Sequence, residues 1–561
     1  MSDASRKILI LGGYGVFGGR LALLLAPDAR LHLILAGRSR EKARAFCATL
    51  PPGALRDSVA FDRDGDVDAQ LAAIRPDLVV DASGPFQAYA RDVYKLVRAS
   101  IAIGADYMDL ADASAFVEGI GAFDAAARER GVYVLAGVSS YPVLTAAVVR
   151  ALAADGVCIE TIRAGIAPSP FARIGLNVVR AIASYAGEPV ALLRDRAPAR
   201  AYGLTETLRR TVRPPGVPQL DNRLFSLVDA PDLRALPKLW PDLRTIWTGA
   251  APVPEILHRM LIGVAWLVRL RLSPNLAPLA PLLHGALARV RWGAHRGGMF
   301  VEIEGVDEAG AAVRRSWHMV AEGDDGPLIP SMAVAAIVRN ALNGRPPAPG
   351  ARAATGDLEL ADYDAVFRPY AIRHGMRDDG ALASAPLYRR ILGSAFDKLP
   401  PTLRAMHQVA DTLVAHGEAE IERGPGLIAR LIARLFGFPE AARRAPTSVR
   451  FEARGGVETW TRTFAGKLMR SRQWQGEGRW EGLLCERFGP LTFGLELLVG
   501  DGRLTYVVRR WTAFGLPLPR ALTPRGDASE AEADGRFRFD VAIGAPLIGA
   551  IVRYRGWLAP E

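Results

Sequence analysis

The chain has 561 residues, of which 50% are hydrophobic and 23% charged. This is globular usage, and it excludes a disordered, collagen-like or low-complexity chain. The formal net charge of +11 is spread along the sequence without a basic block. That argues against nucleic acid as a partner and leaves attraction to phosphate-bearing ligands or to an anionic membrane surface.

In chain order, the first 150 residues alternate short apolar strands with helices. Strands are predicted at 7–11, 31–36, 58–61, 78–81, 107–110 and 132–136, and helices at 15–26, 40–50, 88–102 and 113–130. Such alternation gives βαβ units, and right-handed crossovers then give a Rossmann-like doubly wound parallel sheet. Residues 1–150 therefore read as an NAD(P)-binding domain. Residues 151–373 read as an α+β middle domain. Its clearest parts are strands at 299–305 and 312–320, joined by a turn at 307–310, and a helix at 331–342 closed by Gly344. Residues 374–386 are polar, small and Pro/Gly-bearing, and read as a linker. The remainder, 385–561, reads as a β-rich antiparallel C-terminal domain. A helix is predicted at 387–409, a strand at 413–422 and an apolar helix at 427–436. Strand-like runs follow at 448–453, 458–464, 479–487, 491–499, 504–512, 536–543 and 548–557. This meander is expected to wrap around a half-open cavity.

The sharpest motif is Gly13-Tyr14-Gly15-Val16-Phe17-Gly18, directly after the first strand and opening a helix. In that context the first glycine makes a tight turn, the second lets backbone approach a pyrophosphate, and the third allows close helix–strand packing. The free N–H groups and the positive helix end face the phosphates. The second strand ends in Gly37-Arg38-Ser39. An NAD site places an acidic residue near there for the ribose 2′-hydroxyl. Arg38 instead offers a guanidinium fork suited to the 2′-phosphate of NADP. Ser39 adds a hydrogen bond and Lys42 a charge. The fourth strand runs into Asp81-Ala82-Ser83-Gly84-Pro85-Phe86. Ligands lie beyond the carboxyl ends of parallel strands, so Ser83, Gly84 and Pro85 are expected to flank the nicotinamide half. NADP is the expected cofactor.

Hydride transfer is the cofactor's own chemistry, and the protein supplies orientation and a proton. Tyr107, Asp109, Ser139, Ser140 and Tyr141 are the candidate donors near strand ends. No activating neighbour is identifiable for any of them, and the catalytic residue stays unassigned. The eight histidines form no HExxH or other close pair, and no GxSxG elbow occurs, so no metal site is expected. Cys47, Cys158 and Cys485 are far apart and form no CxxC pair. A reducing cytosol is the expected compartment, and no secretory leader is read at the start.

Residues 255–292 are unusually apolar, but arginines interrupt the first half and prolines the second. A spanning helix needs about 20 predominantly apolar residues. Two readings stand: a buried helical hairpin covering the substrate site, and a segment lying in a membrane interface with its arginines at the headgroups.

Several segments resemble the saccharopine dehydrogenase-like family of NADP-dependent oxidoreductases: GGYGVFGGR at 12–20, LAGRSREK at 35–42, VVDASGPF at 79–86, GADYMDLAD at 104–112 and AGVSSYP at 136–142. Trp317, AEGDDGPLIP at 321–330 and the stretch from Gly344 to Gly350 are similar to that family's middle domain. The resemblance implies that the substrate domain is inserted and that later chain returns to the nucleotide domain. FGLPLPRALTP at 514–524 and DGRFRFDVAIGAPLIGAIVRYRGWL at 534–558 resemble a bacterial domain of unknown function fused behind such reductases. The resemblance implies an NADP(H)-dependent oxidoreductase acting on an unidentified, lipid-like substrate. The named family reaction, hydride transfer at the C–N bond joining lysine to a dicarboxylic acid, is an alternative. A nucleotide-sensing or lipid-binding protein without turnover is another. A cytoplasmic protein, peripheral at the membrane through 255–292 and homo-oligomeric, completes the expectation.

Overall fold

The computed structural model describes residues 5–88, 92–172, 175–289, 292–524, 526–546 and 548–561. The predicted helix at 88–102 runs through 89–91, and the apolar stretch at 255–292 runs through 290–291. Those positions lie outside the described residues. The chain forms two compact units. One comprises Met1–Leu208 and Leu224–Arg373, the other Arg209–Arg223 and His374–Glu561.

The first unit opens with β1 (Arg6–Leu11), α1 (Val16–Leu25), β2 (Leu31–Gly37), α2 (Arg40–Cys47), β3 (Leu55–Ala60), α3 (Val67–Ile74) and β4 (Leu78–Asp81). It continues with α4 (Lys95–Ala102), β5 (Asp106–Asp109), α5 (Ser114–Gly119), α6 (Asp124–Glu129) and β6 (Tyr133–Ala136). The central strands β1, β2 and β4 are largely apolar because helices cover both faces, and Ile8, Leu9 and Ile10 are fully buried. Their order is β3-β2-β1-β4-β5-β6, all parallel, which is the Rossmann-like doubly wound sheet. A seventh strand, Gly350–Ala353, comes from much later in the chain and adds parallel to β6, with Gly350 opposite Tyr133. The helix Ile329–Leu342 precedes it and packs on α1, where Ser331 Oγ donates to the Phe17 carbonyl at 3.0 Å. One predicted helix is corrected here and one further helix is added. The helix at 113–130 is interrupted at Gly119 and Gly121, and a 3-10 turn, Ile120–Phe123, separates α5 from α6. The helix α3 was not predicted, and its start is capped by the Asp66 side chain on the Ala69 N–H at 3.0 Å.

The same unit holds a mixed sheet. Thr245–Ala250 runs parallel to Cys158–Ala167, which is antiparallel to Arg296–Val306, itself antiparallel to Ala312–Glu322. The last pair contains the predicted hairpin, turned at Asp307 and Gly310. Phe225 meets Phe300 edge-on at 5.0 Å. They meet over Gly165, where an added Cβ would lie 2.3 Å from the Phe300 ring.

In the second unit the expected linker at 374–386 is instead structured: the strand Ile372–Asp378 runs into it, and a 3-10 turn, Ala381–Ser384, follows. The predicted helix at 387–409 is broken into Leu387–Leu392, a 3-10 turn Gly393–Lys398 and Pro401–His407. Gly393 adopts φ 59° at the first break, and Pro400-Pro401 cannot continue a helix at the second. Ten antiparallel strands then follow: Thr412–Arg423, Ala442–Arg454, Val457–Phe464, Lys467–Gln475, Leu484–Phe488, Leu491–Gly500, Arg503–Ala513, Ala528–Ala533, Arg536–Ala545 and Gly549–Pro560. Each pairs with the next. The last also pairs with the first, Ala415 opposite Pro560. The β-rich domain is thus a closed barrel rather than an open meander. Asp501-Gly502 and Asp534-Gly535 turn two of its hairpins with both residues at positive φ, which matches the twist of the flanking strands. Two strands, Lys467–Gln475 and Ala528–Ala533, were not predicted. The strand expected at 479–487 begins at Leu484, because Gly478–Trp480 forms a 3-10 turn.

Candidate active site

A cleft of about 1000 Å³ opens beyond the carboxyl ends of the parallel strands, lined by the segments that follow β1 to β5. The segment after β1 turns at Gly12, not Gly13: Gly12 has φ +71°, and a Cβ there would lie 2.8 Å from the Ala82 carbonyl oxygen. A Cβ on Gly18 would lie 2.3 Å from the Gly12 carbonyl oxygen, so α1 rests directly on its own approach loop. Gly15 is the N-cap of α1. No side chain caps this helix and no acid stands in its first turn. Its first N–H groups have no intrahelical acceptor, and Gly15, Val16 and Phe17 line the cleft. Gly13 and Gly18 shape the turn from behind the wall.

Tyr14 ties this loop to the end of β2. Its ring covers Gly37, where a Cβ would lie 2.5 Å away, and its hydroxyl accepts from the Ser39 N–H at 3.2 Å. Arg38 lies beside it, exposed and in the cleft wall. Among the described residues no hydrogen bond or ion pair engages its guanidinium. Ser39 caps α2, accepting from the Lys42 N–H at 3.3 Å, which leaves its own hydroxyl proton to donate. Ser39 and Lys42 sit outside the wall itself.

Ser83, Gly84 and Pro85 line the opposite side. Asp81, fully buried at the end of β4, organises them: one carboxylate oxygen accepts from the Ser83 N–H at 3.0 Å and from its hydroxyl at 2.6 Å. The other accepts from Arg63 at 2.5 Å, and Arg63 also reaches Ser83 Oγ at 3.2 Å. From the far side, the Asn177 amide donates to the Gly84 carbonyl at 2.8 Å. Asn177 stands in the first turn of the helix Leu176–Tyr185. That helix also starts at a glycine, Gly175, without a side-chain cap or an early acid. Two uncapped helix N-termini therefore face one cleft, which is an anion-binding arrangement. Gly12, Arg63, Gly175 and Asn177 escaped the sequence reading. A doubled glycine at 12–13 was the available signal for the first. The others act through contacts across 18 to 94 positions, which no local pattern reports.

The five proton-donor candidates do not line the cleft. Tyr107 is fully buried within β5. Tyr141 donates to the Gly249 carbonyl at 3.1 Å, and burial holds its phenol well above the usual range. Ser140 is buried and Ser139 half-buried. Asp109 is fully buried; one oxygen accepts from the Ala111 and Gly137 N–H groups at 2.9 and 2.8 Å, and the other has no partner among the described residues. Burial pushes its carboxyl up to about 7 despite those two donors. The titratable groups that do line the cleft are Asp62, Asp64, Asp92 and Asp112, to the last of which Gln87 donates at 3.0 Å, together with Tyr14, Arg38, Arg63, Lys95 and Arg180.

The helix Glu255–Arg269 fully buries only His258, Ala265 and Val268, and Ala265 and Val268 pack with Leu276 and Ala280 against Val179 and Ala183 of the helix Leu176–Tyr185. Ile256, Met260, Gly263 and Leu267 share one helical face, and Ile256, Met260 and Leu267 are exposed. No described helix is long and apolar enough to cross a membrane.

Residues 8–135 match the family model of the saccharopine dehydrogenase NADP binding domain, and residues 399–558 that of a domain of unknown function, DUF4166. No curated protein matches the chain. Among solved structures the chain is similar to apo saccharopine dehydrogenase (L-Glu forming) from Saccharomyces cerevisiae. The identity is 13% over 66% of this chain and 99% of that one, at a TM-score of 0.46. It is also similar to the WlbA (WbpB) dehydrogenase from Thermus thermophilus in complex with NAD and UDP-GlcNAcA, with 10% identity over 65% and 92% and a TM-score of 0.29. A putative oxidoreductase from Klebsiella pneumoniae gives 13% over 62% and 88%, with a TM-score of 0.28.

Proposed function

We propose that the chain is an NADP(H)-dependent oxidoreductase acting on an apolar, lipid-like substrate. The observation that carries the cofactor assignment is Arg38, an exposed guanidinium without a partner among the described residues, in the wall of a cleft that also holds a glycine-started helix terminus. The donors fit the group: the Val16 and Phe17 backbone N–H groups for the pyrophosphate, with the Gly15 N–H already donating to the Gly12 carbonyl at 2.7 Å, and Arg38 with the Ser39 hydroxyl for the 2′-phosphate. No carboxylate stands at 38–39 to hold a 2′-hydroxyl. When bound, the nicotinamide supplies hydride transfer. Ser83 and Gly84, fixed by Asp81, Arg63 and Asn177, supply a rigid wall beside it. Asp112, whose carboxyl desolvation raises, is one of four aspartates in the cleft wall and is our candidate to exchange a proton with a molecule there. The apolar stripe on Glu255–Arg269 supports peripheral contact with a lipid surface, from which such a substrate would come.

The test is calorimetry with NADPH and NADH. Wild-type protein is expected to prefer NADPH, and Arg38→Ala to lose most of that preference while keeping NADH binding. Equal loss of both would remove the assignment. A second reading, a nucleotide-binding protein without turnover, is favoured by the absence of all five predicted donors from the cleft wall. NADPH that binds but is never oxidised with lipid or amino-acid extracts would select it. Oxidation with amino acids and dicarboxylic acids alone would select a saccharopine-type C–N reductase.

A further inference from the structure

We propose that the C-terminal barrel is a second ligand site, which encloses a single apolar chain ending in a small uncharged polar group. This inference stands on the barrel alone and does not need the nicotinamide assignment.

The barrel interior contains a cavity of about 380 Å³, within the size range of small-molecule sites. Eight-stranded barrels are filled by side chains or hold one small ligand, and ten strands enclose more space. Strand alternation turns one row of each strand inward. Val449 and Phe451, Phe464, and Phe537, Phe539 and Val541 line the cavity in this way. Between the first two strands the chain leaves the barrel as the helix Leu427–Leu435, which adds Ile432 to the wall, and Phe436 and Phe438 follow. The stack of Phe438 on Phe488 at 5.7 Å continues this aromatic rim. The same helix exposes Leu427, Ile428, Leu431 and Leu435. An apolar molecule therefore meets a greasy surface beside the cavity.

Most polar groups of the wall are gathered together, apart from Thr447, which donates to the Ala445 carbonyl, and Ser529, which accepts from Arg503. Arg462 donates to Ser471 Oγ at 2.8 Å and to Glu486 at 3.3 Å, and stands 4.6 Å over the Trp460 ring. Gln473 donates to Glu486 at 3.1 Å and accepts from the Tyr388 hydroxyl at 3.0 Å. Tyr506 reaches Tyr388 at 3.3 Å. Glu530 is held by His407 at 2.5 Å. Arg462 is neutralised by Glu486, and Glu530 adds a further carboxylate to the wall. A ligand end that donates and accepts, such as a hydroxyl, fits this network, whereas an anion meets two carboxylates.

The experiment uses full-length protein freed of bound lipid, with hexadecanol and palmitate as probes in equilibrium dialysis. One saturable equivalent of hexadecanol is expected, with palmitate bound about tenfold or more weakly. Val508→Trp, and Val449→Phe as a smaller intrusion, fill the cavity and are expected to weaken hexadecanol binding about tenfold or more. NADPH binding and thermal unfolding are measured on each variant to show that it is folded. Absence of saturable binding by the wild-type protein would overturn the site whatever the variants do. So would undiminished binding by a folded filling variant. Equal affinity for palmitate would overturn the uncharged end.

Discussion

Asp81 and Asp109 are register partners at the carboxyl ends of adjacent parallel strands, both fully buried, yet Asp81 is ion-paired and Asp109 is not. Arg63 and Ser83 compensate the first. Two backbone N–H groups hold the second, and its remaining oxygen has no partner among the described residues. The pair sets one carboxylate against a cation and leaves its neighbour raised by burial.

The pH dependence follows. Asp109 is raised to about 7 when folded, above about 3.9 for an unfolded aspartate. Between these values the folded protein holds a proton that the unfolded chain has lost. This contribution to stability is full below pH ~4 and declines as pH rises to ~7, by about 4 kcal/mol at most. Asp109→Asn keeps an acceptor for both N–H groups and removes the titration. Urea unfolding in steps across this window is expected to give a flatter profile for the variant, and parallel profiles would contradict it.

Arg63 compensates a buried charge. Arg63→Met leaves Asp81 inside the fold without that cation, and about 3–5 kcal/mol of stability is expected to be lost, as for other broken buried pairs. Cofactor binding should fall with it, because Ser83 loses part of its support. Chemical denaturation together with NADPH titration reads both, and a loss under 1 kcal/mol would contradict the account.

Gly18 and Gly121 make a matched comparison. A Cβ at Gly18 would strike the Gly12 carbonyl, and one at Gly121 meets nothing within 4 Å. Gly18→Ala is expected to abolish NADPH binding and lower the melting temperature. Gly121→Ala should stay within about 0.5 kcal/mol of wild type. Calorimetric scans of both variants, with and without NADPH, check this.

The local half of this architecture was legible because its determinants are local. Apolar runs marked β1, β2 and β4, and the glycines after β1 marked a phosphate loop. Arg38 could be placed because it follows β2 directly. What escaped depends on partners distant in sequence. Asn177 meets Gly84, and Arg63 meets Asp81, across gaps that no periodicity spans. Barrel closure is the same case: alternation at 536–543 identifies a strand, but the pairing of Ala415 with Pro560 is a long-range fact. Two elements failed for a local reason. Lys467–Gln475 and Ala528–Ala533 turn polar side chains inward, Ser471 and Gln473 from the first and Glu530 from the second, which breaks the apolar alternation of a half-buried strand.

His407 and Glu530 form a buried pair in the second unit, with Tyr388 stacked on the imidazole at 3.9 Å. His407→Ala is expected to cost about 1–3 kcal/mol by leaving a buried Glu530 oxygen without its hydrogen-bond partner. The double variant His407→Ala/Glu530→Gln should recover part of that loss. A double-mutant cycle by urea denaturation measures the coupling, and additive losses would show none.

The strand Gly350–Ala353 seals the flank of β6, where Asp124 accepts from the Ala351 N–H at 2.9 Å. A nascent chain leaving the ribosome therefore carries an open β6 edge until residue 353 has emerged. Throughout that interval the row of main-chain donors and acceptors on Tyr133–Ala136 is a template for mispairing. Fragments cut near residue 150 inherit this raw edge permanently and should aggregate, while pieces extended beyond 353 stay dispersed.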